Sequence, residues 1–213
     1  MGDATKSDSP HTRERLLDIA EEIIGREGIE GMRLRDLAEP LGIRVPSIYA
    51  HFKGREDVIT SVVKRYIEAL GQQFPDDGSE DPMLSLDRGV RKYTQLMLTH
   101  PAFVRLKLRD QEMVGGMPEM DFVSQGTMAE NLETGPSSKM YHRVQAILDR
   151  GFKSGVFREM RIEVFWREMI GLVFMSLTFP ATRSLLDSKA SPEEIAATVD
   201  EIAECCRRLV IHL

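Results

Sequence analysis

The sequence predicts an all-α protein: a three-helix head followed by a larger helical body, about nine helices in total. Three observations carry that expectation. Apolar residues recur at spacings of three and four, as in Leu16, Ala20, Ile23 and Ile24 or Leu34, Leu37, Ala38 and Leu41, which lines them along one helix face. No stretch of strand length alternates convincingly between apolar and polar residues. Helix-start chemistry is explicit: Ser9-Pro10 and Ser191-Pro192-Glu193-Glu194 each put a Ser cap before a Pro. The second adds the Glu that completes a capping box.

The elements follow in chain order. Residues 1–8 read as a disordered tail. A first helix runs from Pro10 to near Gly28, a second covers 34–41, Gly42 turns the chain, and a third covers 45–52. Gly54 breaks the pattern. A longer helix over 55–74 then uses Val58, Ile59, Val62, Tyr66 and Leu70 as its apolar positions. Residues 75–82 form an acidic turn. Further helices are expected over 83–99, 101–111, 139–154, 160–178 and 192–213. Residues 114–138 are rich in Gly, Pro, Ser and Thr, and read as either a lid or a variable loop. The expected domains are a tail (1–8), a helix-turn-helix head (9–54) and a helical body (55–213).

Composition narrows the function. At 42% hydrophobic and 29% charged residues the 213-residue chain is ordinary for a globular protein. Its apolar run near 170–179 is broken by Gly171, Ser176 and Thr178, too short to span a bilayer. The polar N-terminus carries no signal segment. A cytoplasmic protein with no membrane partner is expected. Cys205 and Cys206 are neighbours that point to different helix faces, and read as small apolar residues in a reducing compartment, with an intersubunit disulfide or a thiol sensor as the alternative. There is no phosphate-cradling glycine loop, nucleophile elbow or dinucleotide fingerprint. His11, His51, His100, His142 and His212 lack metal-ligand spacing, and the acidic run at 76–81 lacks the ligand order of a calcium loop. No catalytic residue, metal or cofactor is expected, and the chain does not read as an enzyme.

A formal net charge of −6 argues at first against a nucleic-acid partner. The distribution reverses that locally, since residues 32–55 carry Arg33, Arg35, Arg44, Lys53 and Arg55 against Asp36 and Glu39. Two short helices around a Gly turn make a helix-turn-helix, whose second helix enters the major groove. On a wheel of that helix, Val45, Ile48, Tyr49 and Phe52 gather on one side, expected to be core. Pro46, Ser47 and Ala50 lie opposite, with His51 beside them. Small residues let a backbone press into a groove. Ser47 can bond a base edge or phosphate, and Val45, Pro46 and Ala50 can touch thymine methyls.

These residues resemble the TetR family of transcriptional regulators. Its pattern appears as Leu37-Ala38, Gly42 and Tyr49-Ala50-His51-Phe52, followed by Lys53-Gly54-Arg55-Glu56. The resemblance covers about residues 12–66. It implies that Arg35 reads a base, that Val45, Pro46 and Ser47 face the groove, and that Tyr49, His51 and Arg55 contact phosphates. The departures are Arg33 in place of a Thr or Ser opening the second helix, Pro40 inside that helix, and Arg55 in place of Lys.

The resemblance also implies a body that dimerises through its last two helices and often encloses a small-molecule pocket. Dimer-interface residues are expected at Trp166, Val173, Leu177, Ile195, Val199, Ile202, Cys206 and Leu209. Met97, Phe103, Met113, Phe122, Met140, Tyr141, Trp166 and Met175 are the pocket candidates, because Met and aromatic side chains line adaptable apolar cavities. Ordinary core is the competing reading for each. The expected function is a homodimeric regulator of a palindromic double-stranded DNA operator, a repressor relieved by an apolar small-molecule effector. The alternatives are a constitutive or architectural DNA-binding dimer and, more distantly, a helical enzyme or interaction module.

Overall fold

The structure is a computed structural model that describes residues 10–75, 78, 80–112, 138–178 and 190–211. The expected tail, most of the 114–138 segment with Met113 and Phe122, and Leu213 lie outside the described residues. Among the described residues there is no strand, and the helices are α1 (Pro10–Glu27), α2 (Leu34–Ala38), α3 (Val45–Ile48), α4 (Arg55–Leu70), α5 (Pro82–Thr99), α6 (Pro101–Glu112), α7 (Ser138–Lys153), α8 (Ile162–Thr178) and α9 (Pro192–Val210).

The chain forms two compact units, one holding residues 10–66 and 101–112, the other most of the remainder. In the first, α1 buries Leu16, Leu17, Ala20, Ile23 and Ile24, and α6 packs along it. The approach is close at Gly25, where a Cβ would lie 3.2 Å from Pro101 Cγ. Arg105 Nε donates to the Gly25 carbonyl at 2.8 Å. Tyr66 stacks on Phe103 with ring centroids 4.5 Å apart. Arg65 on α4 sits among three carboxylates of α1, at 2.6 Å from Glu14, 2.8 Å from Asp18 and 2.8 Å from Glu21. This unit therefore runs past the 54/55 boundary expected from sequence. The stripe of α1 needs more apolar cover than two very short helices supply, and α4 and α6 provide it.

In the second unit α5 packs against α9 and α7, and α8 packs against α9 and α5. Its core includes Leu86, Val90, Tyr93, Met97, Val144, Ile147, Phe165, Met169, Val173, Ile202 and Cys206. Burial, with Cys205 beside it, pushes the Cys206 thiol up to about 12, which makes it a poor nucleophile. Arg91 of α5 pairs with Asp87 at 2.7 Å and with Asp200 of α9, and Arg207 of α9 reaches Asp87 at 3.3 Å. The expected capping box forms: Ser191 Oγ accepts the Glu194 N–H at 3.2 Å, and Glu194 Oε2 accepts the Ser191 N–H at 2.7 Å. Asp81 Oδ1 accepts the N–H groups of Met83 and Leu84 at the start of α5.

The expected dimer residues differ in how much surface they keep in the single chain. Trp166, Val173, Leu177, Val199, Ile202 and Cys206 are all buried within the single chain. α9 packs on α5 and α8 of the same chain, which leaves these side chains little surface. Ile195 and Leu209 remain half-exposed.

At the end of α7 the N–H of Val156 bonds the carbonyl of Gly151 at 3.0 Å and that of Gly155 bonds Phe152 at 3.0 Å. The pair is a Schellman closure. The buried Phe157 ring then lies flat on Gly151, where a Cβ would come 1.9 Å from Phe157 Cδ2. Gly151→Ala is expected to displace that ring and cost about 1–3 kcal/mol, measured as a lower thermal midpoint with helical content unchanged. An unaltered midpoint refutes the close packing.

Candidate nucleic-acid interface

The helix-turn-helix is built from very short pieces. Arg33 stands at the cap of α2 in extended conformation (φ −124°, ψ 144°), with no side-chain cap bond, as expected once Thr or Ser is replaced. The helix stops at Ala38 rather than at Leu41. Pro40 has no N–H to give the Asp36 carbonyl, so the chain tightens into a 3-10 turn at Glu39–Leu41. Gly42 follows in left-handed conformation (φ 63°). Its N–H bonds the Glu39 carbonyl at 3.0 Å, and the Ile43 N–H reaches back to Ala38 at 3.2 Å. That Schellman closure is the turn of the motif.

α3 is a single turn with Pro46 near its start, and ends at Ile48 rather than Phe52. The next residues form a turn in which the N–H groups of His51 and Phe52 both bond the Ile48 carbonyl, at 2.9 and 3.0 Å. Tight closure carries Phe52 into the core, where it is 2% exposed. The Arg13 guanidinium of α1 covers the Phe52 ring at 4.9 Å and donates to the buried Ser61 Oγ of α4 at 3.0 Å. One side of α3 is thereby pinned. Ile48 is buried and Val45 partly so, but Tyr49 is 58% exposed, which corrects its expected place in the core. The helix ends one residue before it, so the wheel no longer applies.

The opposite side is open. Pro46 and Ala50 are exposed, and Ser47 and His51 partly so. A surface groove of about 600 Å³ beside them is lined by Arg35, Asp36, Ala38, Glu39, Ile43, Arg44, Val45 and Pro46. Arg33, Arg35, Arg44 and Lys53 are exposed, and Arg35 pairs with Asp36 at 3.1 Å. A pair this exposed is worth little and leaves Arg35 able to exchange partners. The Lys53 N–H bonds Asp57 Oδ2 at 2.8 Å, which organises the entry to α4. Arg55 is half-buried. Its Nε donates to the Met32 carbonyl at 3.0 Å and its Nη2 to the Ile29 carbonyl at 2.5 Å.

Sequence reasoning missed Arg13, Arg55's inward contacts and Arg65. Arg13 meets Ser61 from 48 residues away, and nothing local signals such a pairing. The Lys53–Asp57 contact was readable, since Asp in the first turn of a helix is a capping pattern.

The expected pocket residues do not all come together. Met97, Met140, Tyr141 and Trp166 are buried in the second unit. Trp166 has Tyr93 and Tyr141 around it, each with ring centroids at 6.4 Å. Phe103 belongs instead to the first unit, under Tyr66, because α6 is claimed by α1. Met175 is 56% exposed, on the face of α8 turned away from its core. Among the described residues no cluster of His, Cys, Asp and Glu could hold a metal, and no helix is long and apolar enough to cross a membrane.

Gly42→Ala tests the turn. No atom lies within 4 Å of the added Cβ, so the cost is purely that of the left-handed backbone, about 1–2 kcal/mol. Chemical denaturation should show that loss, with Gly42→Asn losing less. Equal stability of all three proteins overturns the assignment.

Comparison with known proteins agrees with this geometry. Residues 16–62 match the family model described as bacterial regulatory proteins, tetR family. The HTH-type transcriptional repressor KstR2 of Mycolicibacterium smegmatis is 24% identical over 170 residues, 78% of either chain. The solved ketosteroid transcriptional regulator KstR2 of Mycobacterium tuberculosis has a TM-score of 0.65 at 16% identity, covering 97% of this chain and 98% of that one. The regulator FadR of Bacillus subtilis, solved in complex with stearoyl-CoA, has a TM-score of 0.61 at 15% identity, covering 91% and 96%. The tetR-family match falls on the helix-turn-helix itself, and the similarity in fold to these solved regulators extends through the rest of the chain.

Proposed function

We propose that the protein is a cytoplasmic, homodimeric, sequence-specific DNA-binding regulator, a repressor released by an apolar small-molecule effector, and not an enzyme. The observation that carries the reading is the exposed small-residue face of α3. Pro46, Ser47 and Ala50 stand outward, while Ile48 and Phe52 anchor the other side. In this reading Val45, Pro46, Ser47 and Ala50 meet base edges and methyls, Arg35 reads a base, and Arg33, Arg44, Tyr49, His51 and Lys53 contact phosphates.

Dimerisation gives the short reading helix a second half-site about one turn of DNA away. The surface that supports it differs from the seam first expected. Gly171, Leu172 and Met175 share one open face of α8, and nothing lies within 4 Å of a Cβ built on Gly171. Ile195, Thr198, Cys205 and Leu209 lie half-exposed along α9. These two stripes are the proposed dimer face.

An effector site in the second unit is supported by the Tyr93, Tyr141 and Trp166 cluster, and by Met97 and Met140 buried in the same unit. Thr94 Oγ1 is buried there without a hydrogen-bond partner, and an orphaned hydroxyl in an apolar interior is costly unless something completes it. The ketosteroid regulator and the stearoyl-CoA complex among the similar structures favour a bulky apolar ligand. It acts only by binding one arrangement of the two heads better than the other.

Two experiments test this. The wild-type protein should enrich a palindrome from a random duplex library, and Ala50→Glu should lower affinity for it at least about tenfold by setting a carboxylate against phosphates. No enrichment, or indifference to Ala50→Glu, sinks the reading. Met175→Arg should shift sedimentation from dimer to monomer and weaken operator binding with it. A variant that stays dimeric refutes the α8 face.

A further inference from the structure

Resting on the DNA-binding reading above, we infer that Arg55 is a positioning residue that sets the reading helices on α4, and not a phosphate contact. The chain enters the helix-turn-helix at Arg33 and leaves it at Gly54. Arg55 is the first residue of α4, immediately past the exit. Its Nε bonds the carbonyl of Met32, immediately before the entrance, and its Nη2 bonds that of Ile29 in the 3-10 turn after α1. A single guanidinium thus ties both ends of the motif together, across 23 and 26 residues of sequence.

The surroundings favour this role over a phosphate contact. Arg55 is half-buried, so one edge of its fork is turned toward the protein. Met32 is fully buried, which makes the acceptor a fixed point. Glu56 and Asp57 occupy the same first turn of α4 and oppose an incoming phosphate, whereas Lys53 nearby is exposed. Bridging two carbonyls also needs a planar fork with donors in set directions, which the point charge of a Lys ammonium does not supply. The Arg at this position is accordingly not exchangeable with Lys.

Without the tie, α2 and α3 keep their internal turn at Gly42 but lose their fixed angle to α4. Contacts to DNA are then made from a wider set of poses. The cost falls on affinity, whereas the number of counterions displaced stays the same. That combination separates positioning from charge contact, because each phosphate contact contributes about 0.9 to the slope of log affinity against log salt.

The test uses full-length wild type, Arg55→Lys, Arg55→Met and Lys53→Met, with the duplex that the wild type enriches from a random library as probe. Titration at four salt concentrations should show both Arg55 variants about tenfold weaker, the equivalent of one lost charge-assisted bond, with the wild-type slope. Lys53→Met should show a shallower slope. Amide exchange should quicken at residues 29–32 in both Arg55 variants, with helical circular dichroism retained. Wild-type binding by Arg55→Lys, or a shallower slope in Arg55→Met, overturns the inference and leaves the DNA-binding reading standing. Loss of helical signal in Arg55→Lys also overturns it, by giving Arg55 a general folding role. A wild type that enriches no duplex overturns the functional reading and this inference together.

Discussion

A one-turn helix has no stability of its own, because nucleation fixes several residues for almost no hydrogen-bond return. α3 is four residues long, and the proposed function of the chain rests on presenting it. Everything around it in the first unit supplies the missing order. Ile48 and Phe52 bury one side, Arg13 covers Phe52, the Schellman closure at Gly42 sets its angle to α2, and Arg55 ties the motif at both ends. The side left over must do without large apolar residues, since nothing in the protein covers them. Pro46, Ser47 and Ala50 satisfy that constraint and suit a groove.

Charge is managed by the same economy of space. The chain is acidic, with 34 Asp and Glu against 28 Lys and Arg, yet several carboxylates are committed internally. Glu14, Asp18 and Glu21 converge on Arg65, and Asp87 and Asp200 converge on Arg91. Around the helix-turn-helix the cations Arg33, Arg35, Arg44 and Lys53 are exposed, with acids such as Asp36, Glu39, Glu56 and Asp57 interspersed among them. Exposed cations close to a phosphate can attract it whatever the total charge, because screening confines each charge to about a Debye length of ~10 Å.

In the second unit, the apolar periodicity of α8 and α9 is matched by packing within the chain. A four-three spacing says that a helix packs against another helix; it carries no information on whether that helix belongs to the same chain. Val199, Ile202 and Cys206 are buried where α9 packs on α5 and α8, and the face left over on α8 around Met175 is sparser and less regular. Among the pocket candidates the division into units is likewise not a local property. Phe103 and Met97 both sit on well-periodic helices, yet α6 and α5 fall in different compact units.

By itself the sequence determined what is local in range. The helical class, the Ser191 capping box, the Gly42 turn, the disruptive effect of Pro40 and the tetR-like pattern over the head all arise from residues within one or two turns of each other, where backbone sterics and hydrogen bonding decide. The tertiary structure alone decided which faces meet. The early stop of α3, the exposure of Tyr49, the capture of α6 by α1 through Gly25 and Arg105, and the inward turn of Arg55 all depend on partners tens of residues away. Their physical reason is competition for burial. Several apolar stripes could each have covered another, and only close packing in three dimensions selects the pairs that leave the fewest polar groups unmatched and the least space unfilled.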